Sequence, residues 1–190
     1  MKLTHCLALS SLAACAAVSQ DIPPRDPSLG RDNHISIYLG QRNLDEDDWE
    51  PVEEQPMFGI EYAHETYGSA VGFEVGIMGS KDDDEVGGVD VEGRTGELYG
   101  GIRKTFGEDV VRPCLGAGLS VIKAKAEVGS QDDDDSAAAV YAHGGISFFL
   151  SESFFIGLDL RILFSGDLEI AGSDVDADYG QLAFLMGFGF

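Results

Sequence analysis

Eight stretches of this chain alternate apolar and non-apolar residues with a period of two. That pattern limits the fold more than any other feature. Neighbouring side chains of a strand point to opposite faces, so a period of two marks a strand with two unlike faces. The clearest case is FFIGLDLRILF, Phe154 to Phe164, where Phe154, Ile156, Leu158, Leu160, Ile162 and Phe164 alternate with Gly157, Asp159 and Arg161. AVGFEVGIM, GELYGGIRKTF and VRPCLGAGLSV repeat the split, and HISIYLGQR, MFGIEYAHETY, AVYAHGGISFFL and the final QLAFLMGFGF carry it too. Eight strands of about nine to twelve residues result, near the ~9–11 that a tilted membrane strand needs. No helical period competes, and no apolar run is long enough for a transmembrane helix.

The connections take turns between two kinds. Long acidic segments follow strands one, three, five and seven: LDEDDWEPVEEQP, KDDDEVGGVDVE, GSQDDDD and SGDLEIAGSDVDAD. Short turns follow strands two, four and six, near Tyr67-Gly68-Ser69, Gly107-Glu108-Asp109 and Ser151-Glu152-Ser153. In an up-and-down barrel the long connections then share one end and the short turns the other, the pattern of outer-membrane barrels. Of the 34 acidic residues 22 sit in the four long segments, so the formal charge of -22 belongs to one rim and not to the wall.

A soluble barrel also has period two, and the less apolar face separates the cases. It is rich in Gly and carries charges of both signs: Glu61, Glu74 and Asp159 against Arg103, Arg112 and Arg161. Glycines and paired charges suit the crowded inside of a narrow barrel. The apolar face then meets lipid, with Phe106, Phe148, Phe154, Phe188 and Phe190 near strand ends as an interfacial belt. The expected fold is all-β: an eight-stranded antiparallel up-and-down transmembrane β-barrel. The six charges are expected to form an interior network of three acids facing three arginines, in a lumen that side chains fill.

At the other end, MKLTHCLALSSLAAC has one Lys, a short apolar run and then small residues, the layout of a secretory signal peptide. Two cuts fit. Leu12-Ala13-Ala14-Cys15 resembles a lipobox, with cleavage after residue 14 and a lipid on Cys15; Ala17-Val18-Ser19 offers an alternative cut after 19. The expected organisation is a signal peptide over 1–14, a periplasmic tether over 15–32 and an outer-membrane barrel over 33–190. Cys6 is removed with the signal and Cys15 is removed or acylated, so Cys114 is alone and no intramolecular disulfide framework is available.

The last strand must close against the first, because an open edge in lipid leaves backbone groups unpaired. Phe188 and Phe190 resemble the C-terminal signal read by the barrel-assembly machinery, although Leu185 stands where that signal usually has Gly.

RPCLGAGLSV, an acidic gap and YAHGGISFFLSESFFIGLDLRILF resemble the second half of small outer-membrane barrels of the OmpA and OmpX type. The resemblance covers roughly residues 33–190. It implies a bacterial outer-membrane location with outer-membrane lipids as neighbours, and it says little about activity, since such barrels host adhesins, stabilisers, narrow pores and enzymes.

Chemistry is sparse. The chain has no P-loop, GxSxG or HExxH motif. His143 and Ser147 share a strand face, and lipid A deacylases are also eight-stranded barrels, but this face is the inward one and no acid-oriented pair accompanies it. A His that fills the lumen is the simpler reading. Asp174, Asp176 and Asp178 copy three ligand positions of an EF-hand loop, yet Tyr179 and Leu185 replace its Gly and Glu. A dedicated metal site is not expected; diffuse Ca²⁺ or Mg²⁺ association with the acidic segments is. Neither a cofactor nor catalysis is expected, and the charge disfavours nucleic acid. The expected role is structural or surface-interacting, with a narrow cation-selective pore as the alternative and a lipid-modifying enzyme third.

Overall fold

The computed structural model describes residues 32–66, 69–107, 110–129, 131–166, 168–170 and 172–190. The expected signal peptide, Cys15 and all but the last residue of the expected tether lie outside them.

Eight strands close one antiparallel barrel: β1 (Asn33–Leu44), β2 (Glu54–His64), β3 (Gly72–Val86), β4 (Val89–Thr105), β5 (Val111–Val128), β6 (Gln131–Phe149), β7 (Phe154–Ser165) and β10 (Tyr179–Gly189). Each neighbours the next in the chain, and β10 closes on β1 from His34↔Gly189 to Leu44↔Tyr179. Closure leaves the barrel itself no open strand edge, which a membrane interior demands. A single helical turn, α1 (Glu46–Trp49), follows β1, and a small hairpin of β8 (Leu168–Ile170) and β9 (Ser173–Val175) sits between β7 and β10.

The alternation maps onto the two faces. Leu98, Leu119, Leu160 and Phe184 point out and stay exposed, while Glu61, Tyr99, Arg161 and Ala183 on the other face are buried. An exposed aliphatic wall around a polar interior is the inverse of a soluble barrel and fits a lipid surround. The inward glycines make room for large neighbours: a Cβ at Gly116 would fall on the His143 ring, and one at Gly76 on the Tyr99 hydroxyl.

Two acidic segments expected to be loops are paired strand. β3 and β4 continue together from Lys81↔Arg94 to Val86↔Val89 and turn over Gly87 and Gly88, at φ 62° and 84°. Two successive positive φ values give the hairpin turn whose twist matches its strands. β5 and β6 likewise stay paired up to Val128↔Gln131, with Gly129 at φ 61°. The four strands reach 15 to 19 residues, longer than the alternation suggested, and rise past the barrel as a wall.

β3 pairs with β2 only as far as Ser80, and β6 with β7 only from Ala139. The wall therefore has two strand edges outside the barrel ladder, and these carry Asp82-Asp83-Asp84-Glu85 and Asp132 to Asp135. Such an edge is a template for a further strand, and like charges along it oppose edge-to-edge association.

The other two acidic segments fold over the mouth. Trp49, Val52, Leu168, Ile170 and Ala177 are buried there. Trp49 Nε1 donates to the Asp176 carbonyl at 2.8 Å, the Asp176 amide to Asp48 Oδ2 at 2.9 Å, and the Glu169 amide to Asp135 Oδ2 at 3.0 Å. These bonds tie α1, the β8–β9 hairpin and the wall into one cap.

Candidate functional site: the lumen and its rim

The lumen holds two polar layers. Glu97 on β4 centres the one nearer the cap. It accepts from Arg161 Nη2 at 2.6 Å, from Arg42 Nη2 at 3.1 Å and from the Tyr179 hydroxyl at 2.5 Å. Arg42 also donates to Thr95 Oγ1 at 2.7 Å and to Gln181 Oε1, and its guanidinium lies 3.9 Å from the Tyr179 ring centre. The Arg161 guanidinium packs on Tyr99 and Tyr141, at 4.0 Å and 3.7 Å. Both guanidinium groups thus have carboxylate and aromatic partners, which a buried cation requires.

Glu61, Glu74 and Asp159 form the deeper layer. Glu61 accepts from Arg103 Nη1 at 2.7 Å, Tyr38 at 3.0 Å and Tyr99 at 2.9 Å. Glu74 accepts from Tyr141 at 2.7 Å and lies 3.8 Å from Arg103. His143 bridges the remaining pair: Nδ1 is 2.7 Å from Asp159 Oδ2 and Nε2 is 3.1 Å from the Glu74 carboxylate. At the short-turn end Phe149 stacks on Phe155 at 4.9 Å, His34 meets both edge-on, and Arg112 lies 4.0 Å above Phe149.

All six charges expected inside face the lumen, but they do not pair as three acids with three arginines. Arg103 takes Glu61 and, more distantly, Glu74. Asp159 binds His143, Arg161 turns to Glu97, and Arg112 joins the aromatic base. Sequence reasoning missed Glu97 and Arg42 as members. Both lie on the inward parity, Glu97 two residues before Tyr99 and Arg42 four after Tyr38, and that parity was the available signal. His143 and Ser147 are buried inside and not on the lipid face.

Outside the lumen, charges gather at the foot of the wall. Glu92 accepts from Arg94 and from Lys81, and these partners, Arg94 foremost, hold its carboxyl down at about 2. Lys123 pairs with Asp134 at 2.5 Å, and Lys125 with Asp132 at 3.1 Å. Among the described residues no three His, Cys, Asp or Glu side chains group so as to hold a metal ion. Asp178, one of the EF-hand-like acids, accepts from the Ser165 amide at 2.6 Å.

Residues 6–190 match the family model for the outer membrane protein beta-barrel domain. The chain belongs to that family. As an outer-membrane protein β-barrel it resides in the bacterial outer membrane, with its aliphatic face in the lipid. No curated protein sequence matches it. Among solved structures, Neisserial surface protein A superposes with a TM-score of 0.69 at 14% identity, over 84% of this chain and 97% of that one. Ail, the attachment invasion locus protein of Yersinia pestis, gives 0.57 at 17% identity, over 84% and 97%. The N-terminal β-barrel domain of Pseudomonas aeruginosa OprF gives 0.53 at 14% identity, over 85% and 99%. At such identities the likeness concerns the fold.

Proposed function

We propose that this outer-membrane barrel is a non-conducting, non-enzymatic surface protein that displays its acidic wall outside the cell for contact with other molecules. The supporting observation is the filling of the lumen. The Glu97 layer, the Glu61–Glu74–Asp159 layer, the aromatic base and the Trp49 cap occupy the barrel axis in turn. An eight-stranded barrel has an interior about wide enough for side chains alone, and the burial of Arg42, Glu61, Glu74, Tyr99 and Arg161 supports a filled one. A cation-selective pore would need this network to part, leaving buried charges without partners. A lipid-modifying activity would need reactive groups on the lipid face, and His143 is engaged inside by two carboxylates. Two fold relatives, a surface protein and an attachment invasion locus protein, are consistent by name with a surface role.

The wall and cap face outward, and the short turns, the start of β1 and the end of β10 face the periplasm. Clustered carboxylates on the wall attract Ca²⁺ or Mg²⁺ diffusely. The N-terminal segment is removed on export, with Cys15 lipidated if the first cut is used; mass spectrometry of the mature N-terminus separates the two cuts. Phe188 and Phe190 serve the barrel-assembly machinery, so deleting Phe190 lowers the yield of assembled barrel, and an unchanged yield assigns Phe190 to lipid contact alone. The display itself is tested by inserting an epitope between Gly87 and Gly88. Antibody binding to intact cells is expected; binding only after the outer membrane is breached overturns the surface reading.

A further inference from the structure

The inner face of the wall continues the lumen's apolar packing and then leaves it uncovered. The ladder from Ser80↔Thr95 to Val86↔Val89 is unbroken, so the residues that face the lumen lower down share a face with Val86 and Val89 at the tip. Val91 opposes Val128 on the same face. The lower part is covered: Val91 and Ala126 pack against the buried cluster, and a Cβ at Gly93 would meet Val52. Above that, Val86, Val89 and Val128 are 53%, 43% and 52% exposed. They are not part of the aliphatic belt, which lies on the opposite parity of these strands. Acids frame them on this face, Asp82 and Asp84 from β3 and Asp133 from β6.

We propose that this open apolar patch, Val86, Val89 and Val128 between two acidic margins, is a docking surface for a basic amphipathic polypeptide segment. This identification rests on the surface-display reading above and adds the chemistry of the partner. The charge of the wall selects the occupant. Residues 81–94 and 123–135 carry eleven carboxylates against four bases, an excess of seven negative charges. A second copy of the chain brings the same sign, and phosphate-bearing lipids or nucleic acid are repelled too. A purely cationic partner would leave the valines wet. A segment with aliphatic side chains on one face and Lys or Arg beside them covers the patch and neutralises both margins. The charges speed encounter, and the valines set how long the complex lasts.

The test is calorimetric titration of the purified barrel in nanodiscs of zwitterionic lipid, with empty nanodiscs subtracted. The probe is a short peptide of alternating Leu and Lys. Saturable binding is expected. It should weaken by about tenfold or more in the Val86→Ser/Val89→Ser/Val128→Ser variant, as loss of a central apolar anchor does. It should also weaken in Asp82→Asn/Asp84→Asn/Asp133→Asn, and a Leu–Glu peptide should not bind. Retained heat-modifiable gel mobility confirms that both variants are folded. Absence of saturable binding, undiminished affinity of the serine variant, or equal binding of oligolysine overturns the proposal. If intact cells bind antibody at Gly87–Gly88 while the peptide fails, only this inference falls. If the epitope is not outside, the display reading falls whatever the peptide does.

Discussion

Arg161 Nη2 reaches from β7 to Glu97 Oε1 on β4 at 2.6 Å, and both side chains are almost fully buried. The two strands are not neighbours in the barrel, so the pair braces it across its axis. Removing one partner of a buried ion pair costs up to ~3–5 kcal/mol, and less where, as at Glu97, Arg42 and Tyr179 still donate to the carboxylate left behind. Arg161→Ala should lower the urea midpoint of the detergent-solubilised barrel, and with it the unfolding free energy by an amount of that order. Asp134→Asn removes an acid whose pairing with Lys123 is exposed and should cost about 0–1 kcal/mol. Equal midpoints for the two variants would show that the brace carries no stability.

Gly116 and His143 sit on paired strands and share one space. Gly116→Ala should push the imidazole away from Asp159 and Glu74 and reduce the heat-modifiable, folded band on gels. Adding His143→Ala to Gly116→Ala should leave fold yield close to that of His143→Ala alone, because the severe clash with the ring is gone and only the Glu74 carboxylate tip, 3.1 Å from the added Cβ, must give way. Additive losses would mean that Gly116 is needed for a reason other than room.

Trp49 is the chain's one tryptophan, so its fluorescence reports the cap. It is buried, and acrylamide should quench it poorly in the folded protein. Leu168→Ser should make it readily quenched without opening the barrel on gels. Quenching that is equal in both proteins would contradict a packed cap.

The cap's contact between the Glu169 amide and Asp135 implies a pH dependence. The Glu169 amide, then that of Ser136, lowers the Asp135 carboxyl below its ordinary 3.8. A lowered folded value means the contact contributes stability above 3.8 and loses it as pH falls through the folded value. Trp49 should therefore become more quenchable as the pH drops below 3.8, and Asp135→Asn should remove that part of the change. A variant with an unaltered acid profile would assign the loosening to other carboxylates.

Strand number, order and facing were legible because alternation over a barrel wall is a periodic signal with one geometric meaning. FFIGLDLRILF shows its lipid face and its Asp159–Arg161 face in the letters alone. The wall was not legible as strand because acids masked the alternation. In DDDEVGGVDVE the Gly-Gly turn between Val86 and Val89 was a hairpin signal, but the Asp run beside it read as loop. The interior residues followed from parity, while their partners did not. Which acid meets which base across a lumen depends on strand stagger and rotamers, and Arg161 reaches Glu97 through neither sequence proximity nor strand pairing.

Planar-bilayer recording of the purified barrel tests the central claim most directly. With Glu97, Arg42 and Arg161 locked together beneath the Trp49 cap, and the Glu61–Glu74–Asp159 layer below them, the membrane current should stay at baseline with no stable steps across moderate voltages. Large, long-lived, cation-selective steps would contradict the filled lumen and make the acidic rim the mouth of a pore.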